Sequence, residues 1–237
     1  MNNIKDLNIE TIRIITVAKV ASSTFKHSLH KQYKVSHGHS LMQLKEIIEN
    51  ESNVLIVSGI RNPLARNLSY FFQTYSDSGY NDVKCRANKY QGEKCYIMPS
   101  QKMLSISEKQ ITKLFFKQKW HTTFNDWFDE FFELTYINHT PFNIDLGYQL
   151  YCLDATKNIW LLFYTFETLE KNTSWFEAFF NISKLEHTNK AENRIYNETY
   201  ASIKKSIVFP QKYKQKLLDT RIIKHFYKLK DIKQFYI

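Results

Sequence analysis

Lys19 stands three residues before a run of hydroxyls, Ser22-Ser23-Thr24, in the stretch IRIITVAKVASSTFKHSL. The first half is apolar and rich in β-branched residues, and the second half has helical spacing. The hydroxyls therefore fall where a strand turns into a helix. Unpaired amides at a helix start, together with the helix dipole, attract an anion. Three hydroxyl donors and an ammonium strengthen that pull, so the chemistry expected of residues Lys19, Val20, Ala21, Ser22, Ser23 and Thr24 is phosphate binding. In a Walker A loop the lysine immediately precedes the hydroxyl residue and glycines shape the turn. Here the lysine comes earlier, the loop has no glycine, and no carboxylate suited to holding Mg²⁺ follows either strong strand. That order argues against an ATPase or GTPase, although the same turn could simply carry an exposed lysine.

A second group lies in IVSGIRNPLARNLSYFFQ, with Arg61 at the carboxyl end of an apolar strand and Ser69 in the helix that follows. In open α/β sheets ligands sit outside the carboxyl ends of the strands, so Arg61 can reach the crevice that Lys19 lines. A guanidinium forks onto phosphate oxygens through two parallel hydrogen bonds, and Ser69 adds a donor. Arg66 reads better as part of a solvated helix face. A third group is His37-Gly38-His39, placed after a short predicted strand on the same sheet edge. An imidazole with an ordinary pKa of ~6.5 can take a proton at neutral pH. His39, nearer the following helix, is preferred over His37 as a base. The pair could instead be half of a metal site or a solvated turn. Glu167 is a reserve base, or a cap at the end of its strand.

The elements that must position these groups follow from periodicity. Residues 11–18, 33–36 and 53–60 read as strands. Thr24 to Tyr33, with Ser22 or Ser23 as N-cap, Leu41 to Asn50 and Pro63 to about Tyr75 read as helices. This alternation predicts a parallel sheet with right-handed crossovers. Residues 76–104 lose periodicity and read as a lid or acceptor-binding insertion. Helical pattern returns at 105–118 and 123–135, GYQLYCLD and NIWLLFYTFETL read as two more strands, and the chain is helical from 173 onward. The expectation is a single α/β domain over 1–237, a central parallel sheet flanked by helices with a largely helical C-terminal half.

Composition narrows the partners. At 237 residues, 43% hydrophobic and 24% charged, the chain is globular, and its length lets it bury roughly 70–75% of its unfolded surface. A net charge of +10 invites nucleic acid. Its lysines are dispersed, however, and only FPQKYKQKLLDTRIIKHFYKLKDIK is visibly enriched, so an anionic nucleotide or acidic glycan suits it equally well. No window has the ~18 uninterrupted apolar residues of a membrane span. The N-terminus lacks the apolar run of a signal peptide, which predicts a cytoplasmic protein, with peripheral attachment to the inner membrane face as an option. Cys85, Cys95 and Cys152 are too few and scattered for a zinc site, leaving Cys85–Cys95 a remote disulfide candidate.

KVASST and RNPLARNLSYFF together resemble the sulfotransferases that use 3′-phosphoadenosine 5′-phosphosulfate. That family carries K-x-x-[ST]-[ST]-[TS] after its first strand and R-x-P-x-x-R-x-x-S after a later one. With His37-Gly38-His39 between them, the chain is most similar to the bacterial branch named for capsular polysaccharide synthesis. FNDWFDEFFE, PFNIDLGYQLY, WLLFYTFETLEK and the terminal HFY fall in the family's order, so the resemblance spans most of the chain. It departs at Ala21, where glycine is usual and where the backbone is accordingly expected to avoid positive φ. It also departs in FYTFETL, whose glutamate is displaced by two residues from Tyr164.

The resemblance implies a P-loop-like sulfotransferase fold and metal-free sulfuryl transfer to a carbohydrate hydroxyl on a capsular or lipopolysaccharide glycan, acidic and lipid-linked glycans included. Lys19 and the hydroxyl loop would hold the 5′-phosphosulfate, and Arg61 and Ser69 the 3′-phosphate. A late segment containing Lys190 and Arg194 would close over the nucleotide. Trp120, Trp127, Tyr80, Lys84, Arg86, Lys89 and Lys94 would meet the acceptor. Two alternatives remain open: a P-loop kinase acting on a small molecule, and a non-catalytic polysaccharide-assembly protein of sulfotransferase-like fold.

Overall fold

The computed structural model describes residues 3–76, 106–122, 126–186 and 196–228. Five strands form one sheet: β1 Thr11–Ile15, β2 Lys34–Gly38, β3 Val54–Ile60, β4 Tyr148–Asp154 and β5 Ile159–Thr165, in the order β2-β1-β3-β5-β4. All neighbours run parallel except the hairpin partners β4 and β5. β3 is buried at every position, as expected of a central parallel strand covered on both faces. The expected α/β class is met, with a sheet that is mostly and not wholly parallel because β4 joins β5 as a hairpin.

Among the described residues the helices are α1 Ser22–Leu29, α2 Leu41–Asn50, α3 Pro63–Ser76, α4 Glu108–Lys117, α5 Trp127–Thr135, α6 Thr173–Phe180, α7 Asn197–Ser206, α8 Gln211–Leu218 and α9 Arg221–Phe226. The chain divides into two compact units. One comprises Met1–Asn62, Asp126–Asn189 and Phe209–Ile237, and the other Pro63–Asn125 and Lys190–Val208.

The first unit contains the whole sheet. On one face Ile12, Ile14, Leu55, Val57, Leu162 and Tyr164 pack with Phe25 and Leu29 of α1 and Phe176, Phe179 and Phe180 of α6. On the opposite face Phe163 stacks on Phe226 of α9 at 4.5 Å, with Phe131 of α5 beside it at 5.7 Å. Period-2 alternation along β5 thus sends Leu162 and Tyr164 to one aromatic layer and Phe163 to the other. In the second unit Phe71 and Phe72 of α3 meet Phe115 of α4 and Tyr196 and Tyr200 at the start of α7. Trp120 also packs on Phe71 there and is nearly sealed from solvent, so it serves as core.

Several boundaries differ from the sequence reading. β1 stops at Ile15, because residues 16–21 leave the sheet as a connecting loop. β2 extends to Gly38, so His37 lies within the strand and not after it. α1 begins at Ser22 and ends at Leu29, and the N-cap is Ala21 with no side-chain capping bond, in place of Ser22 or Ser23. Past Ser76, the expected lid at 76–104 lies outside the described residues, as do Cys85 and Cys95. Cys152 is an exposed free thiol.

Candidate active site

The strand order decides where a site can form. From β1 the chain crosses to β2 on one side and then to β3 on the other, so the connections after β1 and β3 diverge at the carboxyl ends of adjacent strands. Such a topological switch point leaves a crevice. The loop holding Lys19 leaves β1 and Arg61 leaves β3, and the two meet there: Arg61 Nη1 donates to the Lys19 carbonyl at 3.4 Å. The Arg61 guanidinium also lies 4.3 Å from the centre of the Phe166 ring, which fixes its plane.

The loop is under backbone strain. Lys19 has φ of 72° and Ala21 has φ of 65°, both left-handed, while Val20 between them does not. The expectation that Ala21 avoids positive φ is therefore overturned. The turn into α1 requires the left-handed conformation, and the alanine adopts it despite its Cβ. Left-handed backbone costs a non-glycine residue roughly 1–2 kcal/mol, and such strain persists only where surrounding structure enforces it. Alternating signs of φ turn successive amides toward one concavity, the arrangement that binds anions.

The enforcing group comes from β5. Tyr164 is completely buried, and its hydroxyl donates to the Val20 carbonyl at 2.6 Å, between the two strained residues. Burial pushes the phenol pKa far up, so this donor stays protonated. The ring crosses β3 over Gly59, where a Cβ would come within 2.5 Å of Tyr164 Cζ. The sequence carries a signal for this contact, since a glycine inside an otherwise apolar strand marks a close approach.

Ser22 and Ser23 occupy the first turn of α1, where amides have no intrahelical partner. The Thr24 amide bonds to the Ala21 carbonyl at 3.0 Å, and its side chain is buried. Ser22 Oγ lies 3.0 Å from His37 Nε2. Desolvation, with smaller contributions from His39 and Lys26, lowers the His37 pKa to about 4, so its ring is neutral at pH 7. His37 thereby anchors the hydroxyl loop and is a poor base.

His39 is held differently. Its Nδ1 lies 2.6 Å from the Thr16 carbonyl. A carbonyl can only accept, so Nδ1 carries a proton and Nε2 is the ring nitrogen left to face a substrate. The two imidazoles stand edge to face at 4.8 Å. Trp127 of α5 donates its indole N–H to the His39 carbonyl at 3.3 Å, which brings one of the expected acceptor aromatics beside this histidine. Among the described residues no group of three metal-ligating side chains forms. Thr16 Oγ1 and Ser58 Oγ are among the buried hydroxyls with no hydrogen-bond partner among the described residues.

Glu167 braces the other side. Its carboxylate accepts the Asn62 amide at 2.6 Å and the Tyr227 hydroxyl at 3.2 Å, tying the end of β5 to the end of β3. The residue keeps accessible surface, but desolvation of the carboxylate raises its pKa against the opposing pull of Asn62, Arg61 and Tyr227. With both oxygens engaged, Glu167 acts as a clamp more readily than as a base.

Lys19, the hydroxyl loop, Arg61, His37 and His39 are thus brought together in the first unit. Ser69 and Arg66 lie on α3 in the second unit. Arg66 is almost fully buried, with Nε and Nη2 on Asn67 Oδ1 at 3.1 and 2.9 Å, so it is not the solvated residue its helical position suggested. Arg194 and Lys190 lie outside the described residues. No family model, curated protein or solved structure matches the chain.

Proposed function

We propose that this protein transfers a sulfuryl group from 3′-phosphoadenosine 5′-phosphosulfate to a hydroxyl of a carbohydrate, on a P-loop-like sulfotransferase fold. The observation that carries the reading is the bond from Arg61 to the Lys19 carbonyl at the β1/β3 switch point, beside a strained, hydroxyl-rich anion loop. One cation is a compact ammonium suited to a leaving phosphate, and the other is a fork suited to a terminal phosphate monoester. The KVASST and RNPLARNLS motifs supply the same pairing in sequence.

In the proposed step the acceptor oxygen attacks sulfur, and the bond between sulfur and the bridging oxygen breaks. That oxygen leaves with the electron pair as part of the 5′-phosphate. Lys19 and the first-turn amides and hydroxyls of α1 stabilise the charge that develops there. The acceptor proton passes to His39 Nε2, the ring nitrogen left over by the Nδ1 bond to Thr16. His37 keeps Ser22 oriented. The scheme uses no metal ion.

Incubation with a radiolabelled-sulfate donor and a panel of bacterial surface glycans tests the proposal. Label should pass to glycan with stoichiometric release of adenosine 3′,5′-bisphosphate. Mg²⁺-dependent ATP turnover without sulfate transfer would identify a kinase instead. Binding of the bisphosphate without transfer to any acceptor would identify a non-catalytic protein.

A further inference from the structure

A cavity of about 560 Å³ opens along the free edge of the sheet, between β2 and α2. α2 buries Leu41, Leu44 and Ile47 and packs on β1 and α5. The β2 positions facing it are Ser36 and Gly38, and the Gln43 carboxamide lies over Gly38, where a Cβ would come within 2.1 Å of its Oε1. Such a volume falls within the ~300–1,000 Å³ of small-molecule sites.

The lining is polar and dense in paired donors and acceptors. Arg13 forks onto Glu51 with Nε and Nη2 at 3.0 and 2.9 Å, and its Nη1 reaches Ser36 Oγ at 3.2 Å. Opposite them Gln43, Glu46 and Asn50 project from one face of α2 at spacings of three, four and seven residues. Arg13 neutralises Glu51, which leaves Glu46 as a carboxylate with no ion pair among the described residues. Arg13 against Glu46 and Glu51 leaves the lining with one surplus negative charge, in a chain of net charge +10. Side-chain amides, a hydroxyl and a partly used guanidinium suit neighbouring hydroxyls, which donate and accept alike. The unpaired carboxylate suits an ammonium.

We propose that this cleft binds a polyhydroxylated molecule bearing an amino group, such as an amino sugar, in preference to acidic sugars.

Amide chemical-shift mapping on the full chain tests the cleft separately from the donor loop. Titrated with glucosamine, the amides of Ser36, Gly38 and Gln43 should shift, with weaker shifts for glucose and none for glucuronate. Glu46→Gln, an exposed substitution, should weaken glucosamine binding about tenfold and leave glucose unaffected. Absence of glucosamine shifts at the cleft, or equal binding of glucuronate, overturns the proposal. A parallel titration with adenosine 3′,5′-bisphosphate reads the loop at 19–24. Shifts there without sugar binding would remove the cleft and keep the donor site, and the converse would keep the cleft and remove sulfuryl transfer.

Discussion

Tyr164→Phe removes one hydroxyl and nothing else from the centre of the first unit. The ring would keep its packing against Phe25 and Phe176, whose centroids lie 4.8 and 6.1 Å away. The Val20 carbonyl, however, would lose its donor at a residue with no solvent exposure. An orphaned buried acceptor costs about 1–3 kcal/mol. The flanking strain at Lys19 and Ala21 is of the same size, roughly 1–2 kcal/mol each, so the hydroxyl is the term that balances it. Urea unfolding should show a lower midpoint at unchanged slope, corresponding to a loss of about 2 kcal/mol. Ala21→Gly should move the other way. Relief of left-handed strain, less ~0.5–1 kcal/mol for glycine's freedom when unfolded, gives a gain of up to ~1 kcal/mol. In the double variant the glycine should recover part of the tyrosine loss. A Tyr164→Phe protein within ~0.5 kcal/mol of wild type, or a destabilised Ala21→Gly, would refute the account of the loop as strained and held from β5.

Gly59→Ala should destabilise by about 1–3 kcal/mol, because a Cβ placed 2.5 Å from Tyr164 Cζ forces a buried ring to move and breaks its bond to Val20; unchanged thermal unfolding would contradict this. His37 gives a pH signature. Between its ordinary 6.5 and its folded value of about 4, the unfolded chain binds the proton and the native one does not, so stability should rise with pH across that window. The ring is half-buried, so screening limits the effect to on the order of 1 kcal/mol, and His37→Gln should flatten the slope. His39→Gln should slow sulfate transfer by about 10²–10⁴ with unchanged affinity for adenosine 3′,5′-bisphosphate, and a wild-type rate would assign the proton elsewhere.

The sheet was legible in the chain because β-branched runs such as VLIVSGI carry both a period and an end. Arg61 could be assigned to the carboxyl end of β3 for the same reason. The loop was harder to read. Alanine at position 21 disfavours positive φ locally, and the loop is braced by a tertiary bond from Tyr164, 144 residues from Val20 in sequence. His37 was placed after a strand expected at 33–36, whereas parallel pairing with β1 carries the strand through to Gly38. Arg66 looked solvated because charge usually means exposure. Its amide partner Asn67 makes burial tolerable, and helical spacing alone does not reveal that pairing. The α2 cleft depends on how that helix packs on β1 and α5, which periodicity does not encode.

The central claim is that Lys19 and Arg61 grip the two phosphorylated ends of one adenylate, and calorimetry with adenosine 3′,5′-bisphosphate tests it most directly. Wild type should bind it well and bind ATP poorly. Lys19→Ala and Arg61→Ala should each weaken binding by about 1.5–3 kcal/mol, roughly 10- to 150-fold. Equal affinity in wild type and both variants, or no binding of the bisphosphate at all, would contradict the account.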